Sequence, residues 1–270
     1  MKKRVLALAL AAIFAVSCVG CGSQKAAEDD KKIVIGVTPV PHKDITEVAA
    51  KLLEEKGYEV KIVEYTDYVQ PNTALEEGEL DANYFQTLGY MDGQNAERDM
   101  HLVSVASIHA EPMGIYSKSI ADLTSLPDGA TIAVPNDEDN EDRALRVLAE
   151  TGLIAVPEEG KITPADITEN PHNFQFTEIE AGGLPRMLED VDVAIINGNY
   201  ALEADLGNTS NVLYIEEIVG EKITLRGNVI AVKDGTQDSQ KVKDIIEAFQ
   251  SDEVRNYINE TYAGAVIPVF

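Results

Sequence analysis

The residues of this chain with chemistry to offer are few, and the first is a lone base. Arg143 lies in PNDEDNEDRAL (135–145), the only base between Lys118 and Arg146, in or near a first helical turn where a cation opposes the helix dipole. Two readings fit that setting. In one, Arg143 sits on a solvated helix face and pairs with Asp139 or Glu141, as exposed bases among acids do. In the other, its planar two-pronged guanidinium and the turn amides grip a small carboxylate. Asn140, beside it, either joins the second arrangement or caps the helix.

Three further segments look out of place for their surroundings. YTDYVQPN (65–72) is a polar-aromatic turn at a strand end and offers Tyr68; DANYFQTLGY (81–90) brings Tyr84, Phe85 and Tyr90 together in a chain with 6% aromatics. Both could be ordinary packing. IINGNYALEADL (195–206) puts Asn197 and Asn199 at the exit of a buried strand, where an amide is more at home facing a ligand than a core, unless Asn197 caps the next helix. The set is chemically coherent. A free amino acid needs a cation for its carboxylate, acceptors for its ammonium and an apolar wall, and Arg143, amide or carboxyl oxygens, and Tyr68 with Phe85 would supply them.

Signs of catalysis are missing. His42, His101, His109 and His172 are scattered without the i, i+4 spacing of a zinc helix, and the two cysteines, Cys18 and Cys21, both lie near the start. There is no phosphate-binding glycine loop and no GxSxG. Acid pairs abound, but 47 acids make pairs by chance. The expectation is a non-enzyme, with no cofactor and no metal.

The elements that must position these groups alternate strand and helix. KIVIGVT (32–38) reads as a buried parallel strand, Ile45–Lys56 as an amphipathic helix stopped by Gly57, and Glu59–Tyr65 as the next strand, a right-handed βαβ unit. A short helix (72–78), a polar helix around Asp92–Arg98 and a strand at Leu102–Ile108 follow, and 118–129 is a polar connector. A second series comprises strands at 131–134, 174–179, 192–197 and 212–216, with helices at 140–151, 183–190 and 199–205. An apolar strand at Asn228–Val232 and helices at 239–250 and 252–261 close the chain. The order predicts an α/β protein of two lobes, 33–114 plus 226–270 and 115–225, with a ligand cleft at the strand ends between them.

The ends and the charge set the location. Residues 1–20 read as a secretory signal peptide, with Lys2, Lys3 and Arg4 before an apolar run from Val5 to Val16, shorter than the ~20 residues a membrane-spanning helix needs. VGCGS resembles a bacterial lipobox, which nominates Cys21 for lipid modification with acyl chains such as palmitate, residues 21–31 as a lipidated tether, and an extracytoplasmic membrane-anchored protein. Cleavage would remove three bases and no acids, moving the formal charge from -25 to about -28, a poor surface for nucleic acid.

Beyond these readings, the chain resembles the methionine-binding lipoprotein family (NlpA lipoproteins), substrate-binding components of bacterial ABC importers. The resemblance rests on YTDYVQPNTALEEGELDANYFQ, EPMGIYS, AVPNDEDNEDRAL, ITENPHNFQFTEIEA, AIINGNYALEADL and QSDEVRNYI, in family order across most of residues 33–260. It implies a two-lobe periplasmic-binding-protein-like fold that closes on methionine or a related amino acid, with an ABC permease and ATPase as partners. Carried over by position, it makes Arg143 the partner of the ligand carboxylate with Asn140 beside it, and Tyr68 and Phe85 the aromatic pocket, to which Tyr90 of the same aromatic segment is added as a candidate from the residues alone. Asn197 matches the strand-exit asparagine, Asn228 the asparagine opening the return strand, and His109 and Glu111 of HAEP positions near the pocket in part of the family. The family motif continues after DANxFQ with a histidine and then a proline where this chain has Thr87 and Gly89. That departure keeps open a shorter or more polar amino acid or a methionine-containing dipeptide as ligand. A non-transport adhesin or sensor on the same scaffold is the rival reading.

Overall fold

The computed structural model describes residues 31–270. The leader at 1–20, the lipidation site Cys21 and all but the last residue of the tether lie outside the described residues. The first half runs β1 (Lys32–Val37), α1 (Asp44–Glu55), β2 (Glu59–Glu64), α2 (Gln70–Glu76), β3 (Ala82–Thr87), α3 (Leu88–Arg98), β4 (Leu102–Ala110), β5 (Gly114–Ser117), β6 (Thr131–Pro135) and α4 (Glu138–Glu150). The second runs β7 (Gln175–Ile179), α5 (Leu184–Met187), β8 (Val193–Ile196), α6 (Gly198–Glu203), α7 (Leu206–Thr209), β9 (Asn211–Ile215), α8 (Glu221–Leu225), β10 (Gly227–Lys233), α9 (Gln240–Phe249), α10 (Asp252–Tyr262) and β11 (Ile267–Pro268).

These strands make two sheets, ordered β11-β4-β10-β3-β1-β2 and β7-β6-β8-β5-β9. The apolar run of β1 is explained by its place between parallel β2 and β3, with Ile33, Ile35 and Val37 fully buried. The same holds for β6, parallel to β7 and β8. The chain leaves the first sheet after Ala110 and returns at β10, which is antiparallel to both β3 and β4. Each sheet has its own core. Ile45, Leu53, Phe249 and Ile258 from α1, α9 and α10 pack on the first, while Leu145 and Leu148 of α4 pack with Ile132, Ile195 and Met113 of the second. The result is the two-lobe α/β fold that the alternation implied.

Some boundaries move, for local reasons. The helix expected from about Asp92 begins at Leu88, because Thr87 ends β3 in extended conformation and its Oγ1 accepts from the Tyr90 amide at 3.2 Å. The helix expected over 183–190 is a single turn, Leu184–Met187. VGEKITLRG contains a turn of helix, α8, and the two-residue strand β11 pairs beside β4, too short for periodicity to announce. Among the described residues no helix is long and apolar enough to cross a membrane.

Candidate ligand-binding site

Strand exits and helix starts from both lobes converge on one narrow cavity, with room of about 20 Å³ between its walls. From the first lobe come Tyr68 after β2, Phe85, Gln86 and Thr87 at the end of β3, Tyr90 in the first turn of α3, and Asn228 at the start of β10. From the second come Asn140 and Arg143 of α4 and Asn197, Gly198 and Asn199 at the junction of β8 with α6; Glu111 lies on the connection between lobes. The sequence candidates Arg143, Asn140, Tyr68, Phe85, Tyr90, Asn197, Asn228 and Glu111 therefore meet in one place. His109 does not line the cavity but stands behind it, its Nε2 2.5 Å from Glu111 Oε1.

Arg143 is 4% exposed, and it does not pair with Asp139 or Glu141, so the solvated-face reading is overturned. Asn140, Glu141 and Asp142 beside it in α4 are buried too. The partner of Arg143 is Glu216, a residue the sequence reading did not single out. Arg143 donates from Nε at 3.0 Å and from Nη2 at 2.5 Å to Glu216 Oε2, and from Nη2 to the Glu111 carbonyl at 2.6 Å. Glu216 also accepts from the Met113 amide at 3.1 Å and, through Oε1, from Arg226 Nε at 3.2 Å. Burial alone would raise the Glu216 pKa, but the Arg143 charge and hydrogen bond, the Met113 amide and Arg226 together hold it below the ordinary carboxylate value. The guanidinium is thus fixed on two sides, and its Nη1 has no protein hydrogen-bond partner among the described residues.

The asparagines follow the same pattern. Asp137, not Asn140, caps α4, accepting from the Asn140 amide at 3.0 Å. Asn140 instead bridges, donating from Nδ2 to Asp137 at 2.9 Å and accepting from Asn197 Nδ2 at 2.6 Å. Asn197 occupies the cap position of α6 yet makes no side-chain cap bond, and its Oδ1 is buried and unpartnered. Asn199 accepts from the Tyr68 hydroxyl at 2.5 Å, while its Nδ2 is likewise buried without a partner. Buried polar atoms are nearly always paired, so two open ones in a cavity wall are places for a ligand's polar atoms.

The opposite wall is aromatic. The Tyr68 ring lies 5.7 Å from Phe85, 5.6 Å from Tyr90 and 4.9 Å from Tyr200, and Tyr90 Oη donates to the Tyr68 carbonyl at 3.1 Å. Burial, first of all, pushes the Tyr68 and Tyr90 phenols well up, so both remain neutral donors.

Behind Glu111 two of the four histidines come together, while His101 and His172 lie apart on the surface beside Glu76 and Asp128. His42 and His109 have ring centroids 5.0 Å apart, and one ligating atom each of His42, His109 and Glu111 lies within 4.8 Å of the others. Those atoms are already engaged in hydrogen bonding. His42 Nε2 is 3.1 Å from Asn228 Oδ1 and its Nδ1 2.9 Å from Thr38 Oγ1, and His109 Nδ1 meets the Tyr84 hydroxyl. Burial pushes His42 down to about 4, so it is neutral near pH 7 and works as a hydrogen-bonding strut. Glu111 is held low: burial raises it, but the His109 hydrogen bond, the two histidines and Arg143 outweigh that. A fixed cation, a buried carboxylate, two open amide groups and an aromatic wall suit a zwitterion with an apolar side chain.

Comparison with known proteins agrees on scale and order. The sequence model of the family described as NlpA lipoprotein matches residues 33–270. The methionine-binding lipoprotein MetQ of Bacillus subtilis is 38% identical, over 100% of this chain and 99% of its own. A lipoprotein structure from Ruminococcus gnavus superimposes with a TM-score of 0.86 at 40% identity, covering 89% of this chain and 100% of that one. The nutrient-binding protein of Burkholderia cenocepacia, solved bound to methionine, gives 0.83 at 39% identity over 88% of this chain and 100% of that one.

Proposed function

This chain belongs to the NlpA lipoprotein family, and from that premise we propose that it is the extracytoplasmic substrate-binding protein of an ABC importer, taking methionine between its lobes and handing it to the permease. The observation that carries the reading is the pattern of open polar atoms in an otherwise satisfied cavity. Arg143 Nη1 receives the ligand carboxylate; Glu111 and Asn197 Oδ1 take the ammonium; Tyr68, Phe85 and Tyr90 line the thioether. Asn140 and Asn228 complete the polar wall, and His109 holds Glu111 ionised.

The lobes divide at about residues 115 and 225, giving 33–114 with 226–270 and 115–225, so that closure brings Arg143 and the asparagines of one against the aromatics of the other. Signal cleavage and acylation at Cys21 anchor the protein on the outer face of the cell membrane, with 22–31 as tether. Membrane-bound permease and ATPase subunits are its partners.

Mass spectrometry of small molecules carried through a native purification tests the ligand directly. Methionine released on denaturation, at up to one per chain, supports the proposal. A different amino acid or a dipeptide recovered instead would reassign the cavity.

A further inference from the structure

We propose that Asp139 is a positioning residue for ligand retention: it reaches from the second lobe into a notch on the first made by Thr87 and Gly89, and fastens the closed cleft. The inference rests on reading the cavity as the ligand site. Asp139 lies in the first turn of α4, and its carboxylate is held at two points. Thr87 Oγ1 donates to Oδ2 at 3.3 Å, and Lys161 Nζ lies 2.6 Å from Oδ1. The Asp139 side chain is 13% exposed, with Thr87 and Gly89 of the facing lobe standing against it.

Gly89 explains the cover. It is the second residue of α3, and its backbone is ordinary right-handed helix, so nothing in its conformation calls for glycine. Alanine there would favour the helix by up to about 1 kcal/mol. A Cβ at 89, however, would sit 2.6 Å from Asp139 Oδ1 and 3.1 Å from its Cγ, closer than atoms pack. The missing side chain is the space that Asp139 fills. Thr87 then serves twice, donating to Asp139 while its Oγ1 caps α3 through the Tyr90 amide.

The consequence for binding follows from position. Asp139 immediately precedes Asn140 and shares the start of α4 with Arg143, so fastening it to the first lobe holds both against the cavity. Thr87 and Tyr90, on the other side of the contact, line the same cavity. Release of a ligand requires the Asp139 contact to part first.

The test is a double-mutant cycle on the purified chain, following L-methionine release by stopped-flow tyrosine fluorescence, which no tryptophan obscures. Asp139→Ala should speed release about tenfold, the effect of losing a hydrogen bond to a charged group. Gly89→Ala should speed it several-fold without lowering thermal stability, and should add nothing in the Asp139→Ala background. Asp139→Asn, which keeps an acceptor for Thr87, should fall between wild type and Asp139→Ala. Release from Gly89→Ala at the wild-type rate, or an undiminished Gly89→Ala effect without Asp139, overturns the proposal. A ligand-free measurement separates this from the identity of the ligand. Hydrogen exchange across Leu88–Met91 should quicken in Asp139→Ala, and exchange equal to wild type refutes the contact even if L-methionine proves not to bind.

Discussion

Glu216→Gln removes one charge from a buried arrangement of three. Wild-type Glu216 accepts from Arg143 twice, from the Met113 amide and from Arg226, with its own side chain 1% exposed and those of Arg143 and Arg226 at 5% and 12%. The glutamine keeps the shape but leaves two guanidinium groups facing each other with no counter-charge at that point. Breaking a buried pair in this way costs about 3–5 kcal/mol. For a chain of this size each kcal/mol moves the melting midpoint by about 2–4 °C, so the loss should be about 6–20 °C. At pH 7, read by far-ultraviolet circular dichroism, thermal unfolding measures the midpoint shift and urea unfolding the free-energy loss. The pH dependence has a definite sign. Because the folded pKa of Glu216 is depressed, its contribution is present above the unfolded carboxyl value of about 4.3 and disappears as pH falls through the folded value. Wild type and Glu216→Gln should therefore converge in acid. Arg143→Met added to Glu216→Gln should recover part of the stability, since one stranded cation is gone, while ligand binding is lost. A Glu216→Gln protein within about 1 kcal/mol of wild type at pH 7 would show that the arrangement does not carry the weight assigned to it.

Other consequences concern the cavity walls. Tyr68→Phe deletes the hydroxyl that Asn199 accepts from at 2.5 Å, leaving both ends of that amide unsatisfied; methionine affinity should fall about 5- to 30-fold, by calorimetry, for about 1–2 kcal/mol. Gly198→Ala would place a Cβ 2.8 Å from the Pro112 carbonyl oxygen, 2.8 Å from Glu111 Cβ and 3.0 Å from its Oε2, so backbone and carboxylate must both shift; stability and affinity should both fall, and unchanged affinity would remove Glu111 from the site. His42 is depressed to about 4 from 6.5, so the unfolded chain takes up its proton first; stability should decline by about 3 kcal/mol as pH falls from 6.5 to 4, and His42→Gln should flatten that slope in urea midpoints measured across pH.

The sequence was most readable where burial leaves a continuous mark. β1 and β6 are enclosed on both faces and carry apolar runs, so they and the βαβ order could be read directly. Arg143 and Asn197 were legible because each is the wrong residue for its local setting, a base in an acidic helix start and an amide at the end of a buried strand. Their supports left no such mark. Glu216 is 73 residues from Arg143 and sits among other acids, so nothing local distinguishes it. His42 reaches Asn228 across 186 residues, and its pairing with His109 exists only after the first sheet forms. Gln86 and Thr87 line the cavity from inside a segment already noticed, but which of its side chains face inward depends on the exact end of β3. Gly89 could not be understood at all until Asp139 was seen against it.

In the proposed function Arg143, held by Glu216, presents its remaining nitrogen to the carboxylate of an amino acid. Calorimetric titration of L-methionine into the purified chain and into Arg143→Ala addresses it most directly. Saturable one-to-one binding to wild type, weakened by about 2–5 kcal/mol in the variant, is the predicted result. No binding to wild type, or equal affinity with and without Arg143, would contradict it.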